Sequence, residues 1–197
     1  MSDVLNYFRD SSKVILNLEK HTDIIQKMAE DIYKLKVSDN KILIAGNGGS
    51  CADAEHFAGE LVCTFKDRQR IGISGISLSN NSSAITAWSN DFSFESYFER
   101  QVESIGCKGD ILFLITTGGG NRENGASMNL VIAAEKAREK GMKIFTIAGK
   151  GGGILKTFSD LSVVVESDIT SQIQEGHIAI IHLICLYLDQ IDQRKRA

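Results

Sequence analysis

Lys41-Ile42-Leu43-Ile44-Ala45-Gly46-Asn47-Gly48-Gly49-Ser50 is the stretch whose reading decides the fold. A short apolar run ends in a cluster of glycines, and a helical pattern follows over residues 51–64. Strand, glycine-rich turn, helix is the unit, and it recurs downstream. Asp110–Thr116 is a second strand, ending in Thr117-Gly118-Gly119-Gly120 before a helix near 125–140. Lys143–Ala148 is a third, ending in Gly149-Lys150-Gly151-Gly152-Gly153. Ile71–Leu78 and Leu161–Val165 read as two further strands, and Ser171–Gln190 as a long closing helix. Strands that are continuous apolar runs, alternating with helices, indicate a parallel sheet covered on both faces.

Upstream, Val4, Phe8, Val14, Ile15 and Leu18 fall at helical spacing, as do Ile24, Ile25, Met28, Ile32 and Leu35. Residues 1–36 are therefore read as two helices, with Thr22 and Asp23 as cap residues between them. The expectation is one domain over 1–197: an N-terminal helical extension over 1–36 and a doubly wound α/β core over 37–197.

The whole chain, 197 residues, has 43% hydrophobic and 24% charged residues, the composition of a soluble globular protein. A chain of this size buries roughly 70% of its unfolded surface in a single core. With 22 basic against 25 acidic residues, no basic field exists for a nucleic-acid backbone. Apolar runs such as Ile111–Ile115 are too short to span a bilayer. The N-terminal residues lack the pattern of a secretory signal, so a cytoplasmic location is expected. Cys51, Cys63, Cys107 and Cys185 form no CxxC pair and read as reduced thiols, three of them expected as small buried hydrophobes. With no proline in the chain, glycine must supply the special turns.

In such sheets ligands bind at the carboxyl ends of the strands. Gly46–Ser50 would expose backbone N–H groups at a helix N-terminus, which suits an anion. It is neither a dinucleotide fingerprint, since Cys51 stands where the third glycine belongs, nor a P-loop, since no Gly-Lys-Ser/Thr ending follows. Thr116 and Thr117 add two hydroxyls at the second turn. Each loop alone is equally what any strand-to-helix turn needs. Two at one sheet edge favour a small phosphorylated ligand.

His56 and Glu60 are neighbours on one helical face just beyond the first loop. Gln174 and His182, on the closing helix, are offset by roughly 80° around its axis and can look toward one cavity. Read separately, the first pair is a solvated face and His182 a core histidine. Together, two imidazoles, a carboxylate and an amide suit a borderline divalent ion, zinc first, with a position left for substrate.

At these motifs the chain resembles the phosphoheptose isomerases, of the sugar isomerase (SIS) domain family. The resemblance rests on Gly46–Ser50, Asp53-Ala54-Glu55-His56-Phe57-Ala58-Gly59-Glu60, Asn90-Asp91-Phe92, the Ala137–Met142 helix end, and Ile173-Gln174-Glu175 through His182. It implies a flavodoxin-like SIS fold and a zinc ion, one per subunit, on His56, Glu60, Gln174 and His182. It implies Glu60 as base and His182 as acid, with substrate contacts at Asn47, Gly48, Gly49, Glu60, Asn90, Asp91 and Gln174. Ser50, Thr116, Thr117, Gly118 and Asn121 are the expected phosphate-side contacts. The implied reaction converts sedoheptulose 7-phosphate to D-glycero-D-manno-heptose 7-phosphate through a metal-stabilised enediol, the first step toward ADP- or GDP-heptose for lipopolysaccharide or capsule. The implied assembly is a homotetramer with sites at subunit boundaries, without nucleic-acid or membrane partners. One departure stands out. The family's phosphate loop usually reads Ser-Thr-Ser-Gly-Asn-Ser, whereas here it is Thr116-Thr117-Gly118-Gly119-Gly120-Asn121 with extra residues through Gly125. Asn121, Ser127 or Arg122 are the candidates to replace the missing serines. Relatives that only bind phosphosugars, or that serve as replication partners, lose parts of the His/Glu/Gln/His set, and this loop leaves such a module, or another phosphosugar, as the alternative.

Overall fold

The structure, a computed structural model, describes residues 2–197; Met1, at the start of the expected helical extension, lies outside them. Five strands form one parallel sheet: β1 (Ile42–Gly46), β2 (Gly75–Ser77), β3 (Ile111–Thr116), β4 (Lys143–Ala148) and β5 (Leu161–Val164), in the order β2-β1-β3-β4-β5. The doubly wound expectation holds, and the order is the flavodoxin-like one, with its switch point between β1 and β3. The helices are α1 (Ser2–Leu16), α2 (Thr22–Lys34), α3 (Gly49–Val62), α4 (Ser82–Asp91), α5 (Tyr97–Ile105), α6 (Met128–Glu139), α7 (Leu155–Phe158) and α8 (Thr170–Arg196).

Strand side chains alternate between the faces, and the two cores follow that period of two. Ile42, Ile44, Phe113, Ile115 and Ile147 pack under α1, α2, α3 and α8. Leu43, Ala45, Leu112, Leu114 and Ile144 pack under α5, α6 and α7, with α4 contributing only part-buried side chains. The central strands β1 and β3 are buried along their whole length, which explains their unbroken apolar sequence.

Several expectations need correction. Only Gly75–Ser77 of the Ile71–Leu78 stretch pairs with β1, because the chain before it crosses the end of α3, where Ile73 N–H donates to Leu61 C=O at 2.9 Å. Thr22 does not cap α2; its hydroxyl donates back to Glu19 C=O at 2.9 Å. The helix expected near 125 begins at Met128, since residues 121–126 close into a loop of their own. Helices α4 and α5 have no counterpart in the sequence reading. Only Cys185 is buried; Cys51 is half-buried, and Cys63 and Cys107 are exposed, because they lie where α3 ends and where α5 turns into β3.

On α2, Asp31 is 7% exposed and gathers Lys34, Lys143 and Lys27, so that it ties α2 to the start of β4. Burial alone would raise its carboxyl, but hydrogen bonds from these three ammonium groups outweigh that and hold it down at about 2. A folded value below the unfolded one stabilises the protein above the unfolded value and is lost as pH falls through the folded one. Asp31→Asn should therefore lower the thermal midpoint at pH 7, and the gap to the parent protein should close as pH falls from about 4 toward 2. A pH series of melting curves on the two proteins checks this.

Candidate active site

The loops after β1 and β3 meet at the switch point and enclose a cavity of about 270 Å³. Asn47, Gly48, Gly49 and Ser50 line it from one side, Thr116 and Thr117 from the other. Ser127, at the N-terminus of α6, and Thr170 and Gln174, in the first turns of α8, complete the wall. Three helix N-termini thus face one space. None of the three helices carries an acidic residue in its first turn, where carboxylates usually offset the dipole. No charged side chain lines the cavity. An anion there would be held by backbone N–H groups, helix dipoles and hydroxyls.

Local chemistry shapes this wall. The Thr116 hydroxyl, buried, accepts from Gly119 N–H at 3.1 Å and so turns the loop. Gly119 and Gly120 adopt left-handed φ of 71° and 81°, and a side chain at Gly119 would overlap the Gly152 backbone. The Gly149–Gly153 turn therefore supports the β3 loop from behind: Leu155 N–H donates to Gly119 C=O at 2.8 Å and Ile154 N–H to Gly120 C=O at 3.2 Å. Asn47 is fixed by a reciprocal amide pair with buried Asn129, both bonds 2.9 Å. Asn129 was not singled out from sequence, and only its place in the otherwise apolar first half of α6 marks it.

Farther along α3, the imidazoles of His56 and His182 approach with Nε2 atoms 3.3 Å apart. Glu60 Oε1 stands 3.5 Å from His56 Nε2. The Phe65 ring stacks on His182, centroids 5.6 Å apart and planes at 25°. His182 is half-buried rather than a core histidine; that role falls to His177, wholly buried and lowered to about 4 by burial. Below the pair, burial and then the Glu60 charge push the Cys185 thiol up to about 12, which keeps it protonated.

His56 thus stands within contact of both Glu60 and His182, two of the other expected metal ligands. Gln174 is not with them: it lies about 12 Å nearer the helix start, eight residues before His182, with its amide against Gly49. An Nε2 separation of 3.3 Å is the edge of a tetrahedron around zinc with bonds of about 2.0–2.1 Å. The donor chemistry fits zinc, but the closed set is not formed as the side chains stand. Among the described residues no group of three or more His, Cys, Asp and Glu side chains is drawn together as a metal ion requires.

The remaining expected contacts scatter. The Asn121 carboxamide oxygen accepts from Glu123 and Asn124 N–H, and Ser127, not Asn121, lines the cavity. Arg122 turns outward and pairs with Glu135 at 2.5 Å. Gly118 is exposed and outside the cavity lining. Asn90 and Asp91, bonded to each other at 2.8 Å, sit exposed at the end of α4 and reach neither cluster within the chain. A larger cavity, about 770 Å³, opens between α3, β2 and the start of α4 and contains neither the histidines nor the β3 loop.

Comparison with known proteins bears on this geometry. Residues 6–149 match the family model of the SIS domain. A phosphoheptose isomerase of Helicobacter pylori (strain P12) is 44% identical over 172 residues, 85% of this chain and 86% of that one. One from Trichlorobacter lovleyi is 40% identical over 190 residues, 91% and 93% of the two chains. The solved phosphoheptose isomerase of Neisseria gonorrhoeae superposes with a TM-score of 0.86 at 32% identity, covering 96% of this chain and 98% of that one.

Gly49 lets the start of α3 pack directly on α8, since a Cβ there would overlap the Gln174 amide. Gly49→Ala should displace that amide and weaken inorganic phosphate binding by about tenfold, the worth of one hydrogen bond to a charged group. Gly59→Ala on the same helix meets nothing within 4 Å and should bind phosphate as the parent does. Calorimetric titration of both variants with phosphate checks the pair.

Proposed function

From the membership of this chain in the SIS-domain family, and from its likeness to the family's phosphoheptose isomerases, which makes it an isomerase, we propose that it converts sedoheptulose 7-phosphate to D-glycero-D-manno-heptose 7-phosphate. The observation that carries the reading is the arrangement on two neighbouring helices. The anion cradle opens at Gly49 and Gln174, and the His56/Glu60/His182 cluster stands about 10 Å farther along, seven residues after Gly49. A sugar with its reacting end and its phosphate at opposite ends of a seven-carbon chain matches that separation.

In this reading the cradle holds the C7 phosphate and aligns the open-chain ketose along α3. Glu60 takes the proton from C1, leaving the electron pair to form the C1–C2 double bond of an enediol. His182 donates a proton toward O2 as the carbonyl is reduced to a hydroxyl. Return of a proton to C2, with loss of the O1 proton, leaves the C1 aldehyde. The substrate loses and gains no atoms overall. Bound zinc would polarise the C2 carbonyl as a Lewis acid. His56, Glu60 and His182 would hold it, with Gln174 the fourth ligand that the family resemblance implies. Phe65, stacked on His182, restrains the plane of that ring.

Asn90 and Asp91 fit the same reading as residues a neighbouring subunit supplies in a homotetramer. Val4, Leu5, Phe8 and Leu16 of α1, each more than half exposed, are the apolar surface such an assembly would cover. No helix among the described residues is long and apolar enough to cross a membrane.

Two measurements test the proposal. With sedoheptulose 7-phosphate as substrate, Glu60→Gln should fold normally and lose about 10²–10⁴ in kcat, the usual worth of a general base. Activity within threefold of the parent would remove Glu60 from that role. Elemental analysis of the purified protein should give about one zinc per chain, the closed stoichiometry of a single catalytic site, and His56→Ala and His182→Ala should each lower it. Full zinc in both folded variants would place the metal elsewhere.

A further inference from the structure

Arg70 lies in the segment between α3 and β2, 4% exposed, and none of its donors faces solvent or substrate. Its Nε donates to Asp189 Oδ1 at 2.8 Å. One terminal nitrogen donates to Glu60 C=O, and the other to Leu61 C=O at 3.3 Å and Ile71 C=O at 3.4 Å. The second Asp189 oxygen accepts from Lys66 and Asp67 N–H, both at 2.9 Å. A single buried ion pair thus terminates α3, ties it to α8, and anchors the loop that carries Phe65.

We propose that Arg70 is a positioning residue of the reaction: through the Glu60 carbonyl and Asp189 it sets the separation of Glu60 from His182. This rests on the reading of Glu60 and His182 as the proton-transfer pair. The geometry makes the guanidinium fork specific. Glu60 is the residue whose carbonyl it holds, and Asp189 follows His182 by seven residues, two turns along the same side of α8. Phe65, which stacks on His182, precedes Lys66 and Asp67, whose N–H groups Asp189 holds. All three site-side groups therefore hang from one pair of charges. A lysine keeps the charge opposite Asp189, but its one nitrogen cannot also reach two helix carbonyls. The anion cradle begins at Gly49, eleven residues or about 16 Å up α3 from Glu60, and lies outside this network.

The test is steady-state kinetics on sedoheptulose 7-phosphate with Arg70→Lys and Asp189→Asn, beside Arg68→Lys, an exposed arginine of the same loop, as control. Arg70→Lys should lower kcat by tenfold or more and leave KM within about twofold. Asp189→Asn should show the same split to a lesser degree, and it carries the test alone if Arg70→Lys does not fold. A lower melting temperature with unchanged kcat in the folded variants would make the pair merely structural and overturn the proposal. So would a KM effect without a kcat effect. If the parent protein does not turn over this sugar, the functional reading fails separately. A crystal structure of Arg70→Lys then decides the positioning: Glu60 displaced relative to His182 upholds it, and an unmoved Glu60 overturns it.

Discussion

The side-by-side packing of α3 and α8 on one face of the sheet is the constraint from which the site follows. The two helices advance in step. Gly49 faces Gln174 near the sheet edge, His56 meets His182 two turns on, and the end of α3 is tied to Asp189 beyond that. Close approach at the first of these levels requires glycine, and closure at the last requires a buried guanidinium. Between them the helices have little freedom to slide or splay. The positions of the imidazoles are then set by backbone geometry more than by side-chain preference. Phe57, Leu61, Ile180 and Ile184 fill the layer beneath and make the arrangement part of the core.

Most of the sheet was legible in the sequence because β1, β3 and β4 are covered on both faces and so read as mainly apolar runs, broken inside β4 only by Thr146. Edge strand β2 was overread, since Ile71 and Ile73 carry strand-like residues through a segment that bonds to the end of α3 instead. Helix α4 escaped because it buries no residue fully and shows no apolar stripe, so packing rather than periodicity defines it. Helix α5 carries a clear stripe in Tyr97, Phe98 and Val102, and that signal was there to be used.

The site divides in the same way. His56, Glu60 and His182 were legible because helical spacing brings the first two together and the strand order brings α8 beside α3. The place of Gln174 was not, because an angular offset around a helix says nothing about the 12 Å of rise between it and His182. Asn121 was misplaced for a different reason. Asparagine in a glycine-rich loop commonly bonds its own backbone, and here two local N–H groups claim it before any ligand can. Asn129 and Arg70 act through partners remote in sequence, eighty-two and one hundred and nineteen residues away, and no local pattern announces such pairs.

The cradle at the switch point has a consequence for how the protein responds to its surroundings. Lysine- or histidine-based anion sites can be weakened by raising pH, by acetylation, or by a competing carboxylate that swings in. Peptide dipoles carry no removable proton, and the hydroxyls beside them stay neutral over the physiological range. Across the range in which side chains change charge, a cradle built this way would hold an anion with constant strength, and only the charge state of the anion itself would vary. The close backbone contact of Gly119 with Gly152 and Gly153 ties the loops after β3 and β4 together, so a change in anion affinity would have to come from a shift of these backbones.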